Sequence, residues 1–154
     1  MTKLVIREAK DCHKAPLLAM FQEFYASEAV LHSIPQEYHL RTLEELFSGN
    51  SIQKCFVFEF SDAVVGYALL SSKFSHEAGG RELWLEEFYV RQPYRGQGIG
   101  QEFLRFLTRW QDSEKICRLR LEVEPENDRA SRLYESFGFE PLGYAQMTRK
   151  GASL

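Results

Sequence analysis

Apolar residues change period several times along this chain, and each change marks an element. Leu4-Val5-Ile6-Arg7 reads as a short first strand. Leu17, Met20, Phe21 and Phe24 recur at i, i+3, i+4 and i+7, which predicts a helix running to about Tyr25 with Asp11 as its N-cap. From Ala26 to Gln36 the pattern is irregular, and Pro35 argues against helix there. A second helix is expected to begin near Thr42, whose hydroxyl forms a capping-box pattern with Glu45, and to end near Gly49-Asn50. Cys55 to Phe60 and Val64 to Leu70 then read as two strands joined by Ser61-Asp62-Ala63, a hairpin by length and composition. Ser75 to Gly80 reads as a loop, with Gly79-Gly80 as its turn.

Leu83 to Val90 reads as a fourth strand with two carboxylates, Glu86 and Glu87, at its centre. Ile99, Phe103, Phe106, Leu107 and Trp110 follow helical spacing. Leu119 to Val123 alternates as a half-buried strand. Asp128 to Phe137 reads as a helix with Ala130, Leu133, Tyr134 and Phe137 on one face, stopped by Gly138. Gly143 to Arg149 is the candidate for a last strand. This order of elements predicts one mixed α/β domain over residues 1–154, with no internal repeat or linker.

Bulk composition narrows the function classes. Residues number 154, in the usual size range of one domain, and the net charge of −3 disfavours a nucleic-acid partner, which normally calls for a basic patch. Cys12, Cys55 and Cys117 show no paired spacing, so neither a disulfide framework nor a metal site is expected, and Cys117 is expected to be buried and inert. No window approaches the ~18 apolar residues of a membrane span, and the first residues lack a signal-peptide pattern. A cytoplasmic protein with no membrane partner is the expectation.

The chemistry concentrates after Val90. Glycines at 96, 98 and 100, set between a strand and a helix, let backbone N–H groups converge at a helix N-terminus. Such a turn suits a diphosphate, and Arg95 can add a charge-assisted hydrogen bond. It is not a Walker A loop, which ends in Gly-Lys-Ser/Thr. Nor is it a dinucleotide fingerprint, because Gln stands at 101 and the preceding strands read as hairpins.

Val90 through Gly100, ending in Arg95-Gly96-Gln97-Gly98-Ile99-Gly100, resembles the acetyl-CoA pyrophosphate loop of the GNAT superfamily, Arg/Gln-x-x-Gly-x-Gly/Ala. Downstream, Asn127, Ala130, Leu133-Tyr134 and Gly138-Phe139 are similar to that family's Asn-x-x-Ala-x-x-Leu-Tyr-x-x-x-Gly-Phe helix. The resemblance is close over residues 83–144. It implies an α/β GNAT fold, with a mixed, mostly antiparallel sheet flanked by helices and splayed at the acetyl-CoA site.

The resemblance also implies N-acetyl transfer from acetyl-CoA as cosubstrate, by direct attack of an amine, without a metal. Phe88, Tyr89 and Val90 would offer backbone groups to the pantetheine arm. Arg95, Gly96, Gln97, Gly98, Ile99 and Gly100 would hold the pyrophosphate, and Asn127 would bind near the pantetheine. A homodimer is a family expectation.

Two proton transfers must be served. Tyr134, two helical turns after Asn127, carries a phenol of pKa about 10, matched to a leaving thiolate. Glu86 and Glu87 suit the other transfer, either through water or by gathering an ammonium. In a regular strand only one of them faces a given side, and a β-bulge, common in this strand of the family, brings both near one cleft. Leu85-Glu86-Glu87-Phe88-Tyr89-Val90 also resembles the corresponding strand of diamine (spermidine/spermine) and thialysine acetyltransferases. In that group the first acidic residue is associated with proton removal and its neighbour with the polyamine.

His13, His32, His39 and His76 are expected at the surface or in loops, with His32, Tyr38 and His39 as candidate substrate contacts. The acceptor class stays open among a small cationic amine (polyamine, amino acid or amino sugar) and a protein N-terminus or lysine. A non-catalytic acyl-CoA-binding module is the alternative outside enzymes.

Overall fold

In a computed structural model, residues 3–152 are described, so the outermost residues of the expected domain lie outside the described residues. The chain divides after Glu122 into two compact units. The first holds five strands in the order β1-β2-β3-β4-β5: β1 Leu4–Glu8, β2 Gln53–Phe60, β3 Ala63–Ser75, β4 Gly80–Val90 and β5 Arg118–Leu121. The first three pairings are antiparallel and β4 with β5 is parallel, giving the mixed, mostly antiparallel α/β sheet that was expected. The β2–β3 turn is made by Ser61 and Asp62, both at positive φ, which matches the twist of a tight hairpin.

The helices are α1 Lys14–Tyr25, α2 Gln36–Leu46 and α3 Ile99–Ser113, with α4 Asp128–Glu135 in the second unit. The sheet separates two apolar layers. On one face Leu17, Met20, Phe21 and Phe24 of α1 and Leu43 of α2 pack against Val57, Tyr67, Leu69 and Tyr89. On the other, Phe103 of α3 stacks on Phe88 at 5.2 Å and meets Phe58 at 5.0 Å, while Phe106 and Trp110 meet Phe56. Alternation along each strand sends neighbouring side chains into opposite layers.

Several expectations are corrected. Asp11 does not cap α1: residues Asp11–His13 form a single 3-10 turn, and α1 starts at Lys14 without a side-chain cap. The second helix begins at Gln36, directly after Pro35, which is extended at φ −60° and ψ 147°. Proline breaks a helix from within but is well tolerated at its entrance, where the missing N–H costs nothing. Thr42 therefore lies inside α2, and its hydroxyl donates to the Tyr38 carbonyl at 2.9 Å instead of capping. Residues 143–149 form no strand.

Two histidines are buried. His13 accepts the Lys10 amide on Nδ1 at 2.9 Å, which places its ring proton on Nε2, 3.2 Å from Glu59 Oε1. His39 packs between α1 and α2 beside Phe21. Cys117, expected inside, is exposed. His32 and His76 are exposed, as expected.

Candidate active site

At the end of β4 the chain passes Arg91, makes one 3-10 turn at Gln92–Tyr94, and reaches the glycine-rich segment. Gly96 has φ 75° and Gly98 φ 80°, a left-handed conformation that a side chain disfavours by roughly 1–2 kcal/mol. Gly98 is the N-cap of α3, and the first helical bond runs from the Glu102 amide to the Gly98 carbonyl. The amides of Ile99, Gly100 and Gln101 are therefore first-turn donors without a partner in the helix. With the positive end of the helix dipole they form an anion site.

Arg95 does not extend over that turn. Its Nε donates to the Val90 carbonyl at 2.7 Å, its guanidinium lies over the Tyr89 ring, and its amide is engaged by Gln92. Arg91 and Tyr89 both reach Glu23 of α1: Arg91 Nη2 lies 3.0 Å from Oε1, and Tyr89 Oη donates to Oε2 at 3.1 Å. The root of the turn is thus strapped to the helix on the α1 face.

The centre of β4 is bulged. Leu69 pairs with Glu87 and the next residue, Leu70, pairs with Leu85, so Glu86 is the extra residue. The insertion puts both carboxylates on the α1 face. Glu86 is exposed and accepts from Ser71 Oγ at 2.5 Å. Glu87 accepts from Tyr25 Oη at 2.5 Å and Tyr67 Oη at 2.8 Å. Ser71 and Tyr67 share one face of β3, four residues apart.

Burial is the main reason that the Glu87 carboxyl titrates above its ordinary value. The Glu86 charge adds to the rise and the two tyrosine hydroxyls oppose it. The phenols of Tyr25 and Tyr67 are pushed far up, first by burial and then by the Glu87 charge, so both remain donors. Burial lowers the His39 pKa, and that ring lies 5.5 Å from Tyr25.

The ladder between β4 and β5 runs from Glu82↔Arg118 to Leu85↔Leu121 and stops there. From Glu86 to Val90, β4 has no further strand partner on that side among the described residues, which is the splay expected of the fold. Phe88 turns its ring to α3 and Tyr89 to α1, so between them the open edge is backbone. A strand edge of this kind pairs with an extended amide-bearing chain.

In the second unit, Asn127 caps α4 by accepting the Ala130 amide on Oδ1 at 3.1 Å. Its carbonyl oxygen is thereby used, and its NH2 group is left as the donor toward any ligand. Tyr134 is half-buried against Phe139, with ring centroids 5.7 Å apart, and burial raises its pKa. Gly138, at φ 86°, ends this helical segment as expected.

Motif reasoning missed Tyr25, Tyr67, Ser71 and Glu23. No local spacing marks them, since they meet Glu86, Glu87 and Arg91 only through sheet register and helix packing. The sole signal available was polar tips on otherwise apolar faces. Of the three pocket candidates, His39 is buried near Tyr25, whereas His32 and Tyr38 are exposed.

An open-edged sheet, a helix N-terminus suited to an anion and a paired carboxylate are the features that the expected acyl-transferring class of site calls for. Comparison with known proteins gives the family. Residues 17–139 match the Acetyltransferase (GNAT) family. The chain is 31% identical to thialysine N-epsilon-acetyltransferase of Bos taurus, over 95% of this chain and 89% of that one. It is 30% identical to spermine/spermidine N(1)-acetyltransferase of Bacillus subtilis, over 50% and 53%. Its fold is similar to that of an aminoglycoside N-acetyltransferase in complex with CoA, with TM-score 0.78, 18% identity and coverage of 99% and 97%.

The chain belongs to the GNAT acetyltransferase family. It is an acetyl-transferring enzyme, and the non-catalytic alternative falls away. No helix among the described residues is long and apolar enough to cross a membrane.

Proposed function

We infer that this enzyme moves the acetyl group of acetyl-CoA directly to a primary amine on a small cationic acceptor, such as a polyamine, an amino acid or an amino sugar. The observation that carries the reading is the bulge at Glu86, which sets two carboxylates on one face beside the open half of β4. The names of the relatives, which act on thialysine and on spermine or spermidine, support an amine of this size. The CoA-bound neighbour supports the donor.

The amides of Ile99, Gly100 and Gln101 and the left-handed glycines fit a diphosphate, and the β4 edge at Phe88–Val90, apart from the Val90 carbonyl that Arg95 holds, fits a pantetheine amide. The family pattern assigns Asn127 to the cofactor as well. Acetyl-CoA supplies an activated thioester at the end of that track. Arg95, held on Val90, braces the turn.

An alkyl ammonium must lose a proton before its lone pair can attack. Glu86 faces solvent and takes that proton through water, which also gives the proton a way out. Glu87, fixed by Tyr25 and Tyr67, holds the cation in place. The amine nitrogen then bonds to the thioester carbonyl carbon, the C–S bond breaks, and the departing thiolate takes a proton, a role that the family pattern assigns to the Tyr134 phenol. A phenol with a raised pKa is fully protonated at neutral pH, as a general acid must be.

A panel of diamines, amino acids and amino sugars with acetyl-CoA, followed by thiol release, tests the reading. Turnover of at least one such amine is expected, with Glu86→Gln slower by about a hundredfold. Tight CoA binding with no turnover of any small amine overturns it.

A further inference from the structure

Glu87, Tyr89 and Arg91 alternate along the open half of β4 and just past its end, so they form one row on the α1 face, about 13 Å long. All three are hydrogen-bonded to the last turn of α1. Tyr25 Oη donates to Glu87 Oε2 at 2.5 Å. Tyr89 Oη donates to Glu23 Oε2 at 3.1 Å. Arg91 meets both oxygens of the same carboxylate, Nε to Oε2 at 3.1 Å and Nη2 to Oε1 at 3.0 Å. A two-point pair of this kind fixes direction as well as distance.

Helix geometry explains how two residues of α1 serve both ends of that row. Successive helical residues are turned by about 100°. Phe24 is buried, with its ring 6.4 Å from Tyr67 and 5.8 Å from Tyr89, so it faces the sheet. Glu23 and Tyr25 flank it on opposite sides and reach different levels of β4. Glu23 grips the end that leads into the glycine turn, and Tyr25 grips the acceptor carboxylate.

Among the described residues, the side-chain hydrogen bonds of Arg95 and Gln97 end inside residues 90–97, on the Val90 and Pro93 carbonyls. Those of Arg91 leave the segment: besides Glu23, its Nη1 donates to the Val64 carbonyl at 3.1 Å. The Arg91 carbonyl in turn accepts the Tyr94 amide at 2.9 Å and so opens the 3-10 turn. Local sequence therefore sets the shape of the glycine turn, while Glu23, through Arg91, sets where that turn begins. The side chains of Arg91 and Glu23 are 29% and 39% exposed, so solvent screens the pair and its contribution is direction more than stability.

We propose that Glu23 is a positioning residue for the acetyl-CoA turn, and that with Tyr25 it makes the end of α1 a common mount coupling the donor and acceptor ends. This rests on the proposed function, which puts the diphosphate at the turn and the amine at Glu87. Acetyl-CoA, by holding the turn, holds Arg91 and Tyr89 and through them Glu23. The same turn of helix carries Tyr25, so the amine meets a Glu87 that is already fixed. Linkage makes the effect reciprocal: the amine tightens CoA by the same factor.

Calorimetric titration with CoA tests this, first alone and then with the amine that the panel above turns over fastest. Glu23→Gln, which keeps the shape and removes the charge, is expected to raise the CoA dissociation constant about tenfold. Arg91→Gln, alone or combined with Glu23→Gln, is expected to show the same loss and no more, because the two act as one pair. The amine is expected to tighten CoA about fivefold in the wild type and not in Glu23→Gln. Unchanged CoA affinity in Glu23→Gln, or losses that add in the double variant, overturn the positioning role. Tightening by the amine that is absent from the wild type, or intact in Glu23→Gln, overturns the common mount. Tight CoA binding with no turnover of any amine removes the small-amine function and the common mount with it, while the titrations without amine still decide the role of Glu23.

Discussion

Two regions meet on β4 and are built from different materials. From Phe88 to Gly100 the proposed donor site consists of backbone: left-handed glycines at 96 and 98, the first amides of α3, and a strand edge beyond the end of the β5 ladder. A few residues earlier, the proposed acceptor site consists of side chains that α1, β3 and β4 bring to one face: Tyr25, Tyr67, Ser71, Glu86 and Glu87. A backbone site needs only a conformation, which a short stretch of sequence specifies. A side-chain site needs a register, which is a property of the whole sheet. The donor end is therefore a local feature of the chain and the acceptor end a tertiary one.

Three substitutions break or sharpen that contrast. Tyr134→Phe is expected to have the largest effect, lowering kcat about a hundredfold while the CoA dissociation constant changes less than twofold. Steady-state kinetics beside a CoA titration checks this, and an unchanged kcat removes Tyr134 as the acid.

Gly98→Ala should act on the donor side. Nothing lies within 4 Å of the added methyl, so the cost is conformational, about 1 kcal/mol or more at φ 80°. The expected result is a rise of about tenfold in KM for acetyl-CoA with KM for the amine unchanged. A rise in the amine KM of the same size dissolves the division into two ends.

Glu87→Gln gives the smallest effect and reads the acceptor side through stability. The folded state raises the Glu87 pKa above its ordinary 4.5, so the folded protein binds that proton more tightly than the unfolded chain. The stability contributed in this way is fully present below pH 4.5 and is lost as pH rises through the raised folded value. The variant has no such proton. Urea midpoints measured from pH 4 to 8 should therefore move in its favour relative to wild type as pH rises. A pH-independent difference shows that Glu87 is not desolvated.

The same division explains what could be read in advance. Helix faces at Leu17 to Phe24 and Ile99 to Trp110 repeat at 3.6 residues, and the hairpin turn at Ser61 and Asp62 is local chemistry, so both were legible. The entrance of α2 was misread because Pro35 and the Thr42–Glu45 spacing have two meanings each, and only packing of His39 and Leu43 against α1 selects between them. The exposure of Cys117 and the burial of His13 likewise depend on what the neighbouring elements cover.

By itself the sequence determined the order of elements, the glycine turn, the capped helix at Asn127 and the family to which the chain belongs. Each of these is written in short-range spacing that the backbone must obey wherever it lies. Only the tertiary structure decided that the bulge at Glu86 turns both carboxylates to one face and that Tyr25 and Tyr67 converge on Glu87. The physical reason is register: a shift of one residue in a strand reverses every side chain beyond it, and no local pattern records where that shift occurs.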